Sequence, residues 1–167
     1  VADSLTSATM TIDVTAVNDL PTATDNTVTA TEDTAFVFAP VNFGFIDIDT
    51  ADVLQGITVT TLSSTGTLAL NGTAVTVDQS ISHDDIFEGA LTFTPLKDGN
   101  GIGYDSFNFT VNDGVSDSLV PSTLTIDVTA VNDLPTATDN TVTATEDTAL
   151  VFVLADFGFT DVETDQL

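Results

Sequence analysis

The sequence contains no cysteine, no tryptophan and no arginine, and Lys97 is its single lysine. Without cysteine there are no disulfides and no thiol chemistry, so packing, alone or with bound metal, must stabilise the fold. No apolar run approaches the roughly 20 residues that a membrane helix needs, and the first residues lack a signal-peptide pattern. We therefore expect no direct membrane insertion and an internal position of this sequence within a longer protein.

Acidic residues dominate the charged side chains. The 167 residues include 26 Asp and Glu, which gives a formal net charge of −25. A surface this negative repels phosphate groups, which excludes nucleic acid as a partner, and it suits surroundings rich in salt or divalent cations. The hydrophobic content of 42% is enough for a folded core. The composition therefore fits seawater or the cell exterior.

The chain contains an internal repeat. Residues 11–35 recur letter for letter at residues 125–149, which lie 114 positions further along. Both copies contain Asn-Asp-Leu-Pro, at 18–21 and 132–135, which predicts a linker because proline interrupts strand pairing and Asn-Asp favours turns. We therefore predict the final strand of a preceding repeat with its linker at 1–19, a complete repeat at 20–133, and the first strands of a following repeat at 134–167.

Short runs rich in threonine, valine and phenylalanine, separated by Gly, Asn, Asp and Pro, predict β-strands throughout the repeat. Alternating apolar positions predict a buried face on two of these strands. The predicted inward-facing residues are Phe107, Phe109, Val111, Leu124, Ile126 and Val128. Asn71-Gly72 predicts a tight hairpin turn, and Ser82 is placed to cap a single helical turn. About seven strands per repeat predict an all-β fold, an immunoglobulin/cadherin-like antiparallel β-sandwich in tandem array.

Five motifs follow one another along the chain in a specific order and spacing. They are Val17-Asn18-Asp19-Leu20-Pro21, Thr31-Glu32-Asp33-Thr34, Phe45-Ile46-Asp47-Ile48-Asp49 with Asp52, Phe93-Thr94-Pro95, and Tyr104-Asp105-Ser106-Phe107 continuing to Asn112-Asp113-Gly114. Together they resemble the bacterial cadherin-like tandem repeats of large RTX-type secreted adhesins. The resemblance covers the whole chain, and it implies a calcium-binding sandwich domain that is repeated end to end on an exported protein.

The strand directions predict where the acidic side chains lie. Successive antiparallel strands alternate direction, so their loops gather at two poles of the sandwich. The upper pole is predicted to gather Asn18, Asp19, Asp47, Asp49, Asp52 and Asp113. The lower pole is predicted to gather Glu32, Asp105, Asn132 and Asp133, joined by Asp161 and Glu163 from the following repeat.

Clustered oxygen ligands of this kind predict a site for Ca²⁺, which takes about six to eight oxygens in proteins. Carboxylates packed this closely repel one another by about 1 kcal/mol per pair even in a high dielectric, and no basic residue is expected nearby to neutralise them. We therefore predict Ca²⁺ at the junctions between repeats. The alternative is that the acidic residues only solvate the surface, as in salt-adapted proteins.

No catalytic site is expected. His83 is the only histidine and lies in the predicted helical turn, without a nucleophile at a recognisable spacing. The sequence favours a calcium-binding structural spacer in a bacterial cell-surface adhesin, whose partners are the neighbouring repeats of the same protein. The alternative is a subunit of an extracellular fibre that binds other copies by lateral or strand-exchange contacts. A carbohydrate-binding module is disfavoured because the chain has no tryptophan and one tyrosine.

Overall fold

The computed structural model describes residues 6–49, 51–62 and 64–162, and most of their regular structure is β-strand. The strands are β1 (Thr22–Ala23), β2 (Asn26–Thr31), β3 (Phe36–Val37), β4 (Phe45–Ile46), β5 (Gly56–Thr61), β6 (Thr67–Leu70), β7 (Thr73–Ala74), β8 (Ser80–Ser82), β9 (Leu91–Thr94), β10 (Gly101–Asn112), β11 (Ser122–Thr129), β12 (Thr136–Ala137) and β13 (Phe159–Thr160). Two 3₁₀ turns, Pro40–Phe43 and Leu154–Phe157, and one short helix, α1 (His83–Phe87), complete the elements. No helix in this part of the chain is long and apolar enough to cross a membrane.

The complete repeat contains two larger β-sheets and the short two-stranded sheet β1–β4. One sheet has the strand order β2-β11-β10-β5-β8 and the other has the order β3-β9-β6-β7. Side chains from both sheets belong to one buried hydrophobic cluster, so the two sheets pack as the layers of a sandwich. The β-sandwich predicted from the sequence is confirmed. It contains more strand segments than the seven predicted, because short segments such as β7 and β8 pair separately.

The edge strand β2 departs from the predicted antiparallel pairing. It runs parallel to β11, in a ladder that extends from Asn26 beside Leu124 to Thr31 beside Thr129. The first strand of the repeat is divided into two segments. The first segment, β1, pairs with β4, and the chain then crosses to the five-stranded sheet, where the second segment forms β2. Asp25 lies at this crossing and accepts a hydrogen bond of 2.7 Å from the backbone N–H of Thr123. A strand divided in this way meets the last strand of the repeat in the same direction.

Phenylalanine rings fill the core between the sheets. All six side chains predicted to face inward are at most 4% exposed, which confirms the predicted strand faces. Phe43 meets Phe109 edge-on with ring centroids 5.1 Å apart, and Phe38 meets Phe107 in the same manner at 5.8 Å. Edge-to-face pairs of this kind contribute about 0.5–1.5 kcal/mol beyond the burial of their area. Packing in this core therefore supplies the stability that disulfides cannot.

Two local predictions are confirmed. Leu70 pairs with Thr73 across the turn that joins β6 to β7, and Asn71 and Gly72 between them have φ angles of 51° and 75°. Positive φ at both residues is what a type I′ turn requires. Helix α1 begins after Ser82, whose hydroxyl oxygen accepts a hydrogen bond of 3.1 Å from the backbone N–H of Asp85.

The flanks of the repeat form less structure than their sequence predicts. The strands β12 and β13 pair in the same register as β1 and β4, one repeat length further along the chain. Thr22 lies beside Ile46 in the first pair, and Thr136 lies beside Thr160 in the second. Residues 6–20 form no strand, although their sequence predicts the last strand of a preceding repeat. Residues 140–145 likewise form no strand, although the same six letters form β2. Strand pairing with partners elsewhere in the fold, and not the local sequence, decides whether these segments become β-structure.

Candidate metal centre

Three carboxylates converge at the upper pole, directly after β4. One oxygen each from Asp47, Asp49 and Asp52 lies within 4.8 Å of the others, and all three residues are half-buried. The loop folds on itself to bring them together: the N–H of Asp49 donates to Oδ1 of Asp47 (2.8 Å), and the N–H of Asp52 donates to the carbonyl of Asp49 (3.0 Å). This arrangement offers several carboxylate oxygens to one point.

The preceding linker is attached to this cluster. The backbone N–H of Asp19 donates to Oδ2 of Asp49 at 2.8 Å, and Nδ2 of Asn18 donates to Oδ2 of Asp113 at 3.0 Å. The structure thus brings together the six residues that the sequence placed at the upper pole. Whether they bind metal stays a prediction.

The electrostatics of the upper cluster differ from one carboxylate to the next. Loss of solvent and the neighbouring charges of Asp47, Asp49 and Asp113 raise the pKa of Asp52 above its ordinary value. Hydrogen bonds, the largest effect coming from the N–H of Ser116, lower the pKa of Asp113. Oδ2 of Asp47 is buried and has no hydrogen-bond partner among the described residues. The cluster therefore holds both accumulated negative charge and an oxygen whose acceptor capacity the protein leaves unused.

A second group of carboxylates lies at the lower pole. It consists of Asp33, Asp98 and Asp133, which offer oxygens within 4.8 Å of one another. The sequence predicted Asp133 here but missed Asp33 and Asp98 as candidate ligands. Both lie in the turns that follow β2 and β9, and both have φ near 57°, the left-handed conformation that short polar residues tolerate in turns. An aspartate in the turn after a predicted strand was the signal that could have identified them.

Glu32 connects the lower pole to the following linker. Its carboxylate is fully buried and accepts a hydrogen bond of 2.6 Å from the backbone N–H of Val131 and one of 2.9 Å from Nδ2 of Asn100. Loss of solvent raises the pKa of Asp133, and the charges of Asp98, Asp33 and Glu32 add to this effect, with partial relief from Lys97. Glu32 therefore lies where the sequence predicted it, at the base of the linker and close to other carboxylates.

The single lysine of the chain also lies at the lower pole. Nζ of Lys97 is 2.7 Å from each carboxylate oxygen of Asp98, and this hydrogen-bonded pair raises the pKa of Lys97. The prediction that no basic residue lies near either junction is wrong at this pole. The cause is the Lys97-Asp98-Gly99 turn after β9, which carries the ammonium group to its neighbour's carboxylate. The ammonium is largely exposed, so its contribution to stability is small.

Asp105 has a different environment from the one that the sequence predicted. Both of its oxygens accept backbone hydrogen bonds of 2.8–2.9 Å, from Ser64 and Ser106 to Oδ1 and from Thr65 and Gly66 to Oδ2. Burial opposes its charge, but these four N–H groups outweigh that effect and lower its pKa. Asp105 holds the loop before β6 and is not one of the three residues of the lower carboxylate group. Its role as a metal ligand stays a prediction.

A family comparison adds to this geometry. The model of the bacterial Ig domain family matches residues 18–129, which is well over half of the chain. The chain belongs to the bacterial Ig domain family. No curated protein and no solved structure gives a significant match. Bacterial Ig domains are typically non-catalytic structural repeat domains of extracellular surface proteins.

The remaining predicted ligands of this bacterial Ig domain lie on the following linker and beyond it. Nδ2 of Asn132 donates to the backbone carbonyl of Asp133 at 2.8 Å, so its amide stabilises the linker itself. Asp161 is half-buried just after β13, at the place that corresponds to Asp47 in the complete repeat. Glu163 lies outside the described residues.

His83 has the surroundings of a surface residue in this bacterial Ig domain. Its ring stacks on Phe87 with centroids 5.9 Å apart, and Nδ1 lies 3.3 Å from the exposed carboxylate of Asp84. Neither contact supplies a nucleophile that the imidazole could activate.

Proposed function

We propose that this bacterial Ig domain is a calcium-binding spacer repeat of a cell-surface adhesin of the RTX type, and that Ca²⁺ at each junction between repeats stiffens the array. The observation that carries the proposal is the upper cluster of Asp47, Asp49 and Asp52, to which the linker residue Asp19 is hydrogen-bonded. Metal at this point would hold the linker and the domain together.

The donor set of the upper cluster suits a hard cation. Its ligands are carboxylate and amide oxygens without histidine or cysteine, which is the chemistry that Ca²⁺ prefers. A cation there would neutralise the charges that raise the pKa of Asp52 and would use the buried Oδ2 of Asp47. Asp47, Asp49 and Asp52 would hold the ion, with Asn18, Asp19 and Asp113 as neighbours that orient them. Since the carboxylates must be ionised, acid should weaken the binding.

The two poles supply complementary parts of one junction. The upper pole has the residues that a repeat contributes to the linker before it, and the lower pole has those that it contributes to the linker after it. At the linker after the complete repeat, the ligands would therefore come from both repeats. They would be Glu32, Asp33, Asp98 and Asp133 of the complete repeat, together with Asp161 and Glu163 of the following repeat. Ligands from both sides of a short linker would fix the angle between repeats.

The upper site is tested by the pair of changes Asp47→Asn and Asp49→Asn. Each should lower calcium affinity by about tenfold or more, because fewer charged ligands remain. Titration calorimetry on the 167-residue chain measures the affinity. Asp78→Asn is the matched control, since it removes the same charge from an exposed turn that is not part of either cluster. Equal affinity in all three variants and the wild type would contradict the site.

The stiffening role is tested by adding a chelator. With Ca²⁺, small-angle X-ray scattering should give a longer maximum dimension and less flexibility than with chelator, and saturation at about 100 times Kd should add about 2.7 kcal/mol to the unfolding free energy. Glu32→Gln should reduce this difference, because it removes one charge from the base of the following linker. Scattering curves that coincide with and without Ca²⁺ would rule the mechanism out.

A further inference from the structure

Glycine directly follows asparagine or aspartate at several places in the complete repeat. These pairs are Asn71-Gly72, Asp98-Gly99, Asn100-Gly101 and Asp113-Gly114. At such a pair the backbone nitrogen of the glycine can attack the preceding side-chain carbonyl carbon and close a succinimide ring, because glycine has no Cβ to obstruct the approach. The attack requires a side chain that is free to turn and a backbone N–H that no acceptor holds. The structure separates the four pairs by these two conditions.

The two aspartate pairs are held at the poles of the sandwich. At the lower pole both oxygens of Asp98 lie 2.7 Å from Nζ of Lys97, and the N–H of Gly99 donates to a backbone carbonyl at 3.0 Å. At the upper pole both oxygens of Asp113 accept hydrogen bonds, and the N–H of Gly114 donates to a side-chain oxygen at 2.7 Å. Neither pair meets the conditions for ring closure.

The side chain of Asn100 is also held. Its Nδ2 donates a hydrogen bond of 2.9 Å to the carboxylate of Glu32, which is fully buried. Nδ2 is the leaving group of the reaction, and its bond to the carboxylate must break before the side chain can turn towards the nitrogen of Gly101. Hydrogen bonds to ionised groups are roughly twice as strong as those between neutral groups. Ring closure at Asn100 is therefore slow in the folded protein.

Asn71 meets both conditions. It is exposed in the turn between β6 and β7, and neither its side chain nor the N–H of Gly72 has a hydrogen-bond partner among the described residues. A Cβ placed on Gly72 would have no atom within 4 Å, so open space surrounds the peptide bond that joins the two residues. The strand β7 that follows has only two residues, both exposed. The turn can therefore open locally without disturbing the core.

We propose that Asn71 is a self-modifying site, which converts to isoaspartate and aspartate in the folded protein while Asn100 is protected. The backbone nitrogen of Gly72 bonds to Cγ of Asn71, the bond from Cγ to Nδ2 breaks, and Nδ2 leaves as ammonia with the proton from Gly72. Water then opens the succinimide ring. Hydrolysis at Cγ gives aspartate, and hydrolysis at the former backbone carbonyl gives isoaspartate, whose main chain passes through Cγ. One water is consumed and one ammonia is released, without any change of oxidation state.

The modification changes the β6–β7 hairpin. Each product adds a negative charge to a chain that is already strongly acidic. Isoaspartate also lengthens the main chain between Leu70 and Thr73, which pair across a two-residue turn. The N–H of Asn71 donates to the carbonyl of Ala90 at 3.0 Å, so the turn and the segment after α1 loosen together. The modification therefore marks the age of the folded chain.

Peptide mapping of the aged chain tests the proposal, with Asn100 as the internal control. The chain is kept at mildly alkaline pH, digested with pepsin in acid, and analysed by mass spectrometry for conversion of amide to carboxylate. In the folded chain Asn71 should convert at least about tenfold faster than Asn100, because Asn100 must first give up a hydrogen bond to a charged group. In guanidinium chloride the two should convert at similar rates, since both are asparagines followed by glycine. The proposal is overturned if Asn100 converts as fast as Asn71 in the folded chain, or if Asn71 stays intact while the unfolded chain is converted.

The variant Asn71→Gln supplies a second control. Glutamine has a longer side chain and would have to close a larger ring, so its conversion is much slower. Ion-exchange chromatography of the wild-type chain should show an acidic species that accumulates with time and is missing from Asn71→Gln. An acidic species that accumulates equally in Asn71→Gln would assign the reaction to another residue and contradict the proposal. Neither measurement depends on calcium binding.

Discussion

Replacing Phe43 by alanine should lower the free energy of unfolding by about 4 kcal/mol, because a large ring is removed from a fully packed core. Phe43 is 0% exposed and its ring lies edge-on to Phe109 at 5.1 Å. Its ring also lies 6.0 Å from that of Phe38, and bulky neighbours of this kind limit how far the core can collapse into the space left behind. The melting temperature should fall by roughly 15 °C or more, as measured by calorimetry or circular dichroism.

The chain contains its own control for this experiment. Phe157 occupies the same place in the following repeat, in a 3₁₀ turn that corresponds to that of Phe43, and it is 56% exposed. Phe157→Ala should change the unfolding free energy by less than about 0.5 kcal/mol, as surface substitutions do. Comparable losses from the two substitutions would show that the second copy is packed as the first is, contrary to the structure.

Replacing Asp105 by asparagine should have the second-largest effect, a loss of about 2–4 kcal/mol. The four backbone N–H groups around this carboxylate would then face an amide that offers one acceptor oxygen and an NH₂ donor. At least two part-buried N–H groups would lose their partner, which costs more than the loss of a fully exposed hydrogen bond. Urea denaturation near neutral pH measures the difference.

The effect of Asp105 should depend on pH in a defined direction. Its pKa is lowered in the folded state. A carboxylate of this kind stabilises the fold fully above its unfolded pKa, near 4, and loses that contribution as the pH falls through the lower folded value. The wild type and Asp105→Asn should therefore converge in stability at acid pH. Asp84→Asn, the same change at a side chain that is 91% exposed, should leave stability nearly unchanged at every pH. A difference for Asp105→Asn that persists unchanged in acid would contradict this account.

Features with a local physical cause could be predicted from the sequence. The Asn71-Gly72 turn depends on two residues that tolerate positive φ, and the start of α1 depends on the hydroxyl of Ser82. Alternation of apolar residues along β10 and β11 was sufficient to identify their buried faces. The parallel edge strand was missed because crossing between sheets at Asp25 leaves no pattern in the alternation.

The candidate metal centre could be predicted in part. Strand direction alone placed the six upper residues together, because loops at alternate strand ends meet at one pole. It could not tell which carboxylates have other partners. Asp105 follows the same pattern as the others, yet four backbone N–H groups surround it. Contacts across the fold also determine that Asp33 and Asp98 approach Asp133.

The repeated blocks separate what the sequence determines from what only the tertiary structure decides. Identical or similar letters form the short pair β1–β4 and again the pair β12–β13. In both copies a 3₁₀ turn comes shortly before the second strand of the pair. These contacts form twice because they lie within a single stretch of chain. The sequence Thr-Ile-Asp-Val-Thr forms a strand at 125–129 and none at 11–15, and residues 26–31 and 140–145 differ in the same way. The local sequence gives these segments their alternating apolar face. Only neighbouring strands can satisfy their backbone hydrogen bonds and cover that face, and those neighbours come from distant parts of the fold.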